Sequence, residues 1–112
     1  MLFRSSSGND VIQAAARGGT IITGGGDERI TLARGKDIVS YINGTAGGTD
    51  VLTGFSTKSD RIVLSGYGNG AIADALSTAH AVSGGIAFSL SDGTEVTVMG
   101  VSKLSASSFQ LG

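Results

Sequence analysis

Between Ser5 and Ser40 one aliphatic side chain returns every nine positions, at Ile12, Ile21, Ile30 and Val39, in a stretch otherwise polar and rich in glycine. An α-helix repeats at 3.6 residues and a strand at two, so neither explains the rhythm. Set out in nines, the stretch reads SSSGNDVIQ, AAARGGTII, TGGGDERIT and LARGKDIVS. The fourth place is glycine in three units (Gly8, Gly26, Gly35), and the sixth is acidic in the same three (Asp10, Glu28, Asp37). This pattern predicts a solenoid in which a six-residue turn leads into a three-residue strand, with only the eighth residue pointing inward. A single unit cannot cover its own apolar face, so two units make a coil and coils must stack.

Stacking alternate units places Asp10, Glu28 and Asp50 along one edge, and Gly19, Asp37 and Asp60 along the other. Outward positions differ between the two sheets: Val11, Gln13, Arg29 and Thr31 on one, Thr20, Ile22, Ile38 and Ser40 on the other. The second face is the more apolar. The C-terminal segment is expected to pack over it, because Ile22 and Ile38 exposed together would form a sticky patch. Leu2 and Phe3 suit an apolar cap on the first coil.

A further copy, GGTDVLTGF, carries Gly48, Asp50 and Leu52 but arrives out of phase. A four-residue insertion within YINGTA accounts for the shift. The second half changes character. Asp60 to Leu64 (DRIVL) reads as a β-branched strand, and the glycines of SGYGNG break it. AIADALSTAHAV has Ile72, Leu76 and Ala79 at helical spacing, which predicts a short amphipathic helix. IAFSL and TEVTVM alternate as strands around Asp92-Gly93, a hairpin-turn pair because glycine tolerates positive φ. SKLSASSF is read as a helical turn that returns Phe109 and Leu111 to the core.

The nonapeptides resemble the RTX repeat, GGxGxDxUx, most closely in SSSGNDVIQ; AAARGGTII lacks both the glycine and the acid. The resemblance covers about half of the chain in its repeats. It extends to GGTDVLTGFSTKSDRIVLSG, the SDGT hairpin and the ending SASSFQLG, which look like the region that closes such proteins. It implies an all-β fold: a short parallel β-roll (a β-solenoid) over 1–54, and a C-terminal segment over 55–112 with a β-hairpin cap and one short helix. It also implies Ca2+ as the cofactor, held in the turns by Ser5, Ser7, Gly8, Asp10, Gly24, Gly26, Glu28, Asp37, Gly48 and Asp50. A secreted bacterial protein is implied as well, exported through a type I exporter by an uncleaved C-terminal signal, with an N-terminal effector domain as a further partner.

The chemistry of such a turn is simple. Calcium wants six to eight oxygens at ~2.3–2.6 Å, and glycine lets backbone carbonyls converge where a Cβ would block them. Acids one coil apart, as Asp10 and Glu28 are, would complete the shell. The alternative is a solenoid whose glycines serve only the turns.

Length and composition narrow the field. With 112 residues the chain is one domain with a modest core. Nineteen glycines accompany a normal share of apolar residues, so disorder is not indicated. A net charge of −1 argues against a nucleic-acid surface. No cysteine is present for disulfides or thiol chemistry. No apolar run approaches the ~18 residues of a membrane span, and MLFRSSSGND has no apolar stretch of the kind a cleaved signal needs.

Other chemistry is thinly represented. Gly66, Gly68 and Ala71 after DRIVL imitate a dinucleotide fingerprint, but the strand ending near the acid, Asp92, turns straight into a hairpin rather than a parallel sheet. His80, the single histidine, has no GxSxG, HExxH or cysteine to work with. Tyr41 and Tyr67 are assigned to core or rim packing. The expectation is a non-catalytic calcium-binding module that serves as a folding cap and export signal. A calcium-independent binding module that contacts polysaccharide or a neighbouring domain is the alternative.

Overall fold

The structure is a computed structural model that describes residues 8–13, 18–33, 35–44 and 46–112, together with the backbone of Leu2–Arg4. Short strands alternate between two sheets. Strands β1 (Leu2–Arg4), β3 (Gly18–Ile22), β5 (Lys36–Ile42) and β7 (Arg61–Ser65) lie side by side in the first; β2 (Val11–Gln13), β4 (Arg29–Thr31) and β6 (Thr49–Thr53) lie in the second. Every pairing among these seven is parallel. The chain thus visits each sheet in turn and returns one strand further along.

The nine-residue rhythm sets the register. Ile12 pairs with Ile30 and Ile30 with Leu52, while Ile21 pairs with Val39 and Val39 with Ile62. In β2 and β4 only the central residue is buried, because neighbouring side chains point to opposite faces of a strand. All six aliphatics in these two rows are buried, each worth roughly 1.5–3 kcal/mol against exposure. The insertion in YINGTA is absorbed at one corner: β5 runs on to Ile42, Asn43-Gly44 turn, and the Ala46 amide donates to the Ile42 carbonyl at 2.9 Å. That extension carries Tyr41 into the core, fully buried.

The second half continues both sheets. Strand β9 (Gly85–Ser89) turns at Asp92-Gly93 into β10 (Glu95–Met99), the expected antiparallel hairpin, and β10 adds to β6 in parallel with Val98 beside Leu52. After a 3-10 turn at Ala106–Ser108, β11 (Phe109–Leu111) adds to β7 with Phe109 beside Ile62. Phe109 meets Phe88 edge-on, ring centroids 5.2 Å apart, a favoured aromatic arrangement. Helix α1 (Ala71–Thr78) buries Ala71 and Ala75 and packs against β9 of one sheet and β11 of the other. The described chain is mainly β with one short α-helix, as the sequence predicts.

Three expectations are corrected. The helical pattern runs to Val82 in sequence, yet the helix stops at Thr78, because β8 (His80–Val82) pairs antiparallel with β9; the ladder outweighs a weak helical preference. The C-terminal segment does not lie across the outer face of the first sheet. Its strands extend the ends of both sheets, and Ile22 and Ile38 remain half-buried on that face. Leu111 is 40% exposed rather than returned to the core: it shares the face of Phe109 and stands beside Leu64, but it is the last residue of an edge strand and is not covered there. The backbone of Leu2–Arg4 forms β1, paired with β3; whether Leu2 and Phe3 cap the first coil lies outside the described residues.

Candidate functional site

The corners that lead into β2, β4 and β6 stack along one edge, and this edge gathers most of the predicted residues. Because Val11 pairs with Arg29 and Arg29 with Val51, the residues just before them, Asp10, Glu28 and Asp50, occupy equivalent places one circuit apart. Gly8, Gly26 and Gly48 fall two residues earlier in the same register. Gly26 and Gly48 both have positive φ, 85° and 71°. A Cβ on Gly48 would strike the Gly26 carbonyl, so the circuits approach as closely here as the backbone permits. Gly24 is half-buried at the start of the same corner. Ser5 and Ser7 lie outside the described residues.

Side chains tie the circuits together at this edge. The Asp27 amide donates to Asn9 Oδ1 at 2.9 Å, and the Thr49 amide to Asp27 Oδ1 at 2.8 Å. The Glu28 amide donates to Asp50 Oδ1 at 3.1 Å. Asn9 and Asp27, with short side chains that accept a neighbouring amide, were not singled out from the sequence; their signal was the polar pair beside each sixth-place acid, Asn9-Asp10 and Asp27-Glu28.

Glu28 and Asp50 are buried, 1% and 0% exposed. Both oxygens of Glu28, and Asp50 Oδ2, have no hydrogen-bond partner. Burial and then the neighbouring Asp50 carboxyl push Glu28 up to about 8, with Asp10 and Asp27 adding to the repulsion. Burial also raises Asp50, in spite of the Glu28 amide that favours its charged form. The Tyr41 hydroxyl, likewise buried without a partner, lies beside Asp50 and Glu28, and desolvation drives it well above the usual phenol range. Outside this buried set is a groove of about 370 Å³, lined by Asn9, Asp10, Val11, Asp27, Glu28, Arg29, Thr49 and Val51. Among the described residues, no three His, Cys, Asp or Glu side chains are gathered closely enough to hold a metal ion between them.

Asp37 is not part of this edge. It stands opposite Gly19 and one circuit from Asp60 on the far edge, where its amide donates to Asp60 Oδ1 at 2.8 Å. Asp60 Oδ2 accepts the Ser56 amide at 2.8 Å. Burial, then the Asp60 charge, raises Asp37, while the Ala33 and Gly19 amides pull the other way.

The remaining sequence candidates fall elsewhere. Gly66 and Gly68 have positive φ in the loop before α1. Asp92 sits in the hairpin turn, where the Tyr67 hydroxyl donates to it at 2.7 Å and the Thr94 hydroxyl at 2.7 Å. Burial opposes charge on Asp92, but these hydrogen bonds outweigh it and hold the carboxyl below its ordinary value. His80 is exposed, its Nδ1 2.9 Å from the Thr78 carbonyl. No described helix is long and apolar enough to cross a membrane.

No protein-family model matches the chain, and comparison with curated proteins finds no match.

Proposed function

We propose that the chain is a calcium-binding β-roll module of the RTX type, the closing segment of a secreted bacterial protein that folds when it meets extracellular calcium. One observation carries this reading: Glu28 and Asp50, acids stacked one circuit apart, are both buried, and neither oxygen of Glu28 has a hydrogen-bond donor among the described residues. Buried charge is costly unless it is paired or coordinates a metal. A hard divalent cation supplies the missing positive charge when bound.

The surroundings suit calcium. Glu28 lines a groove with Asp10, Asp27, Asn9 and Thr49, all oxygen-bearing, beside Arg29, Val11 and Val51, and oxygen ligands are what calcium selects. Since no three acidic side chains converge among the described residues, a bound ion would draw on Glu28 and Asp10 from adjacent circuits and fill its shell from backbone carbonyls of the glycine corners and from water.

Folding then follows concentration. Without calcium the stacked acids oppose association of neighbouring circuits, and glycine corners lose much entropy on ordering. A ligand that binds only the folded form stabilises it by RT ln(1 + [L]/Kd), about 2.7 kcal/mol at a hundredfold excess over Kd. An unfolded chain can pass a narrow type I exporter and a folded one cannot. The module is then a cap and export segment rather than a catalyst.

A second reading, a calcium-independent binding module, is favoured by the amide-to-side-chain bonds from Asp27 to Asn9, Thr49 to Asp27 and Asp37 to Asp60, which join circuits with no ion. Thermal melts followed by far-UV circular dichroism separate the two. With millimolar calcium the melting temperature should rise by several degrees over chelator, and magnesium should do much less. Identical melts in calcium and chelator would leave the second reading.

A further inference from the structure

Resting on the calcium reading above, we infer that the two buried acids of this edge have different roles: Asp50 is an internal anchor held by the Tyr41 hydroxyl and the Glu28 amide, and Glu28 alone of the pair meets the cation. Equivalent positions in a repeat would lead one to expect equivalent duties. The surroundings differ.

Asp50 faces inward. It is fully buried and contributes nothing to the lining of the groove, whereas Glu28 lines it. Asp50 Oδ1 is already taken by the Glu28 amide. Its other oxygen and the Tyr41 hydroxyl make no well-formed hydrogen bond, yet the two groups are close enough to interact. Buried tyrosine hydroxyls and buried carboxylates both normally find partners. Turning the phenol onto Asp50 Oδ2 satisfies both groups at once and fills both oxygens of the carboxylate with protein donors. A hydrogen bond to an ionised acceptor is stronger than a neutral one, so this contact fixes Asp50 in place.

Glu28 has no such hold. Both its oxygens are buried without donors, and the residue itself lines the groove beside Asp10 and Asp27. Tyr41 reaches Asp50 because the four-residue insertion lets β5 run to Ile42; the earlier strand of the same sheet, β3, stops at Ile22. The insertion that disturbs the repeat therefore supplies the anchor. Tyr41 thus holds Asp50 and the register of the circuits rather than the cation.

The test uses the full chain and calcium chloride in isothermal titration, with thermal melts alongside. Glu28→Gln should weaken calcium binding at least tenfold. Asp50→Asn and Tyr41→Phe should change the dissociation constant less than about threefold, and both should lower the melting temperature in chelator. A direct readout needs no calcium. The chain has two tyrosines and no tryptophan, so in a Tyr67→Phe background the near-ultraviolet band reports Tyr41 alone. That band should move to shorter wavelength on adding Asp50→Asn and stay put on adding Glu28→Gln. Equal loss of calcium affinity in Asp50→Asn and Glu28→Gln, or a band indifferent to Asp50→Asn, overturns the division of roles while leaving the calcium reading in place. Wild-type protein that takes up no calcium removes the parent reading; the spectral shift would still decide whether Tyr41 anchors Asp50.

Discussion

The two edges of the stack carry the same device, a pair of acids one circuit apart. Glu28 and Asp37 are each buried with neither oxygen hydrogen-bonded among the described residues, while their amides donate to Asp50 and Asp60; the edges differ in how the second acid is held and in what surrounds the first. On the far edge Asp60 sits at the end of a turn of its own. Its amide closes onto the Ser56 carbonyl at 2.9 Å, and its two oxygens accept the Ser56 and Asp37 amides. The Arg61 guanidinium donates to the Asp60 carbonyl at 2.9 Å. On the near edge, Glu28 has no amide or cation of its own to accept from, and every influence on it opposes its charge. Asp60, with donors built around both oxygens, is a staple; Glu28 differs from Asp37 in facing three further acids, Asp10, Asp27 and Asp50.

What the edges share is backbone, and breaking it should have the largest effect. A Cβ on Gly48 would collide with the Gly26 carbonyl, and one on Gly18 with Lys36 backbone, both at positive φ. Gly48→Ala and Gly18→Ala should each cost roughly 3 kcal/mol or more in urea unfolding, combining strain with a clash that only circuit separation relieves. Gly44→Ala, also at positive φ but with open space around it, should cost only about 1–2 kcal/mol.

The carboxylates should then divide the edges. Asp60→Ala strands two amides and should destabilise by roughly 2–4 kcal/mol, equally in calcium and in chelator. Glu28→Gln should do the reverse in chelator at pH 8, stabilising by roughly 1–3 kcal/mol by removing an unpaired buried charge, and it should abolish most of the gain from calcium. If Asp60→Ala proved calcium-sensitive and Glu28→Gln did not, the edges would have been assigned the wrong way round.

Part of this contrast was legible in the chain. The aliphatics at Ile12, Ile30 and Leu52 gave the register, the phase slip at YINGTA gave the place of the long corner, and Asp92-Gly93 gave the hairpin. These signals are local, or periodic, and owe nothing to distant neighbours. The helix end at Thr78 was hidden, because it depends on β8 finding β9. The clamp around Asp60 was hidden for a similar reason: Ser56 and Asp37 reach it from a turn and from another circuit. Tyr41 reads in sequence as one more aromatic on a strand. Its burial beside Asp50 follows from the insertion, whose path only the folded corner reveals.

A gentler perturbation is pH. Glu28, Asp50 and Asp37 all have folded values raised above their ordinary ones, chiefly by burial, so the folded form holds protons more tightly than the unfolded. Their contribution to stability is complete below about pH 4 and is lost as pH rises toward the folded value of Glu28, about 8. In chelator the melting temperature should therefore fall between pH 5 and pH 8. Calcium should flatten or reverse that slope, since it favours the ionised acids. A melting temperature that rises with pH in chelator would contradict the arrangement at the near edge.

The most direct measurement is a crystal structure of the chain grown in calcium, with anomalous scattering used to locate the ion. The account predicts an ion in the groove between the Asp10 and Glu28 corners, bonded to at least one Glu28 oxygen, with Asp50 turned inward against Tyr41. A groove holding only water, with a neutral Glu28 hydrogen-bonded to Asp50, would contradict it.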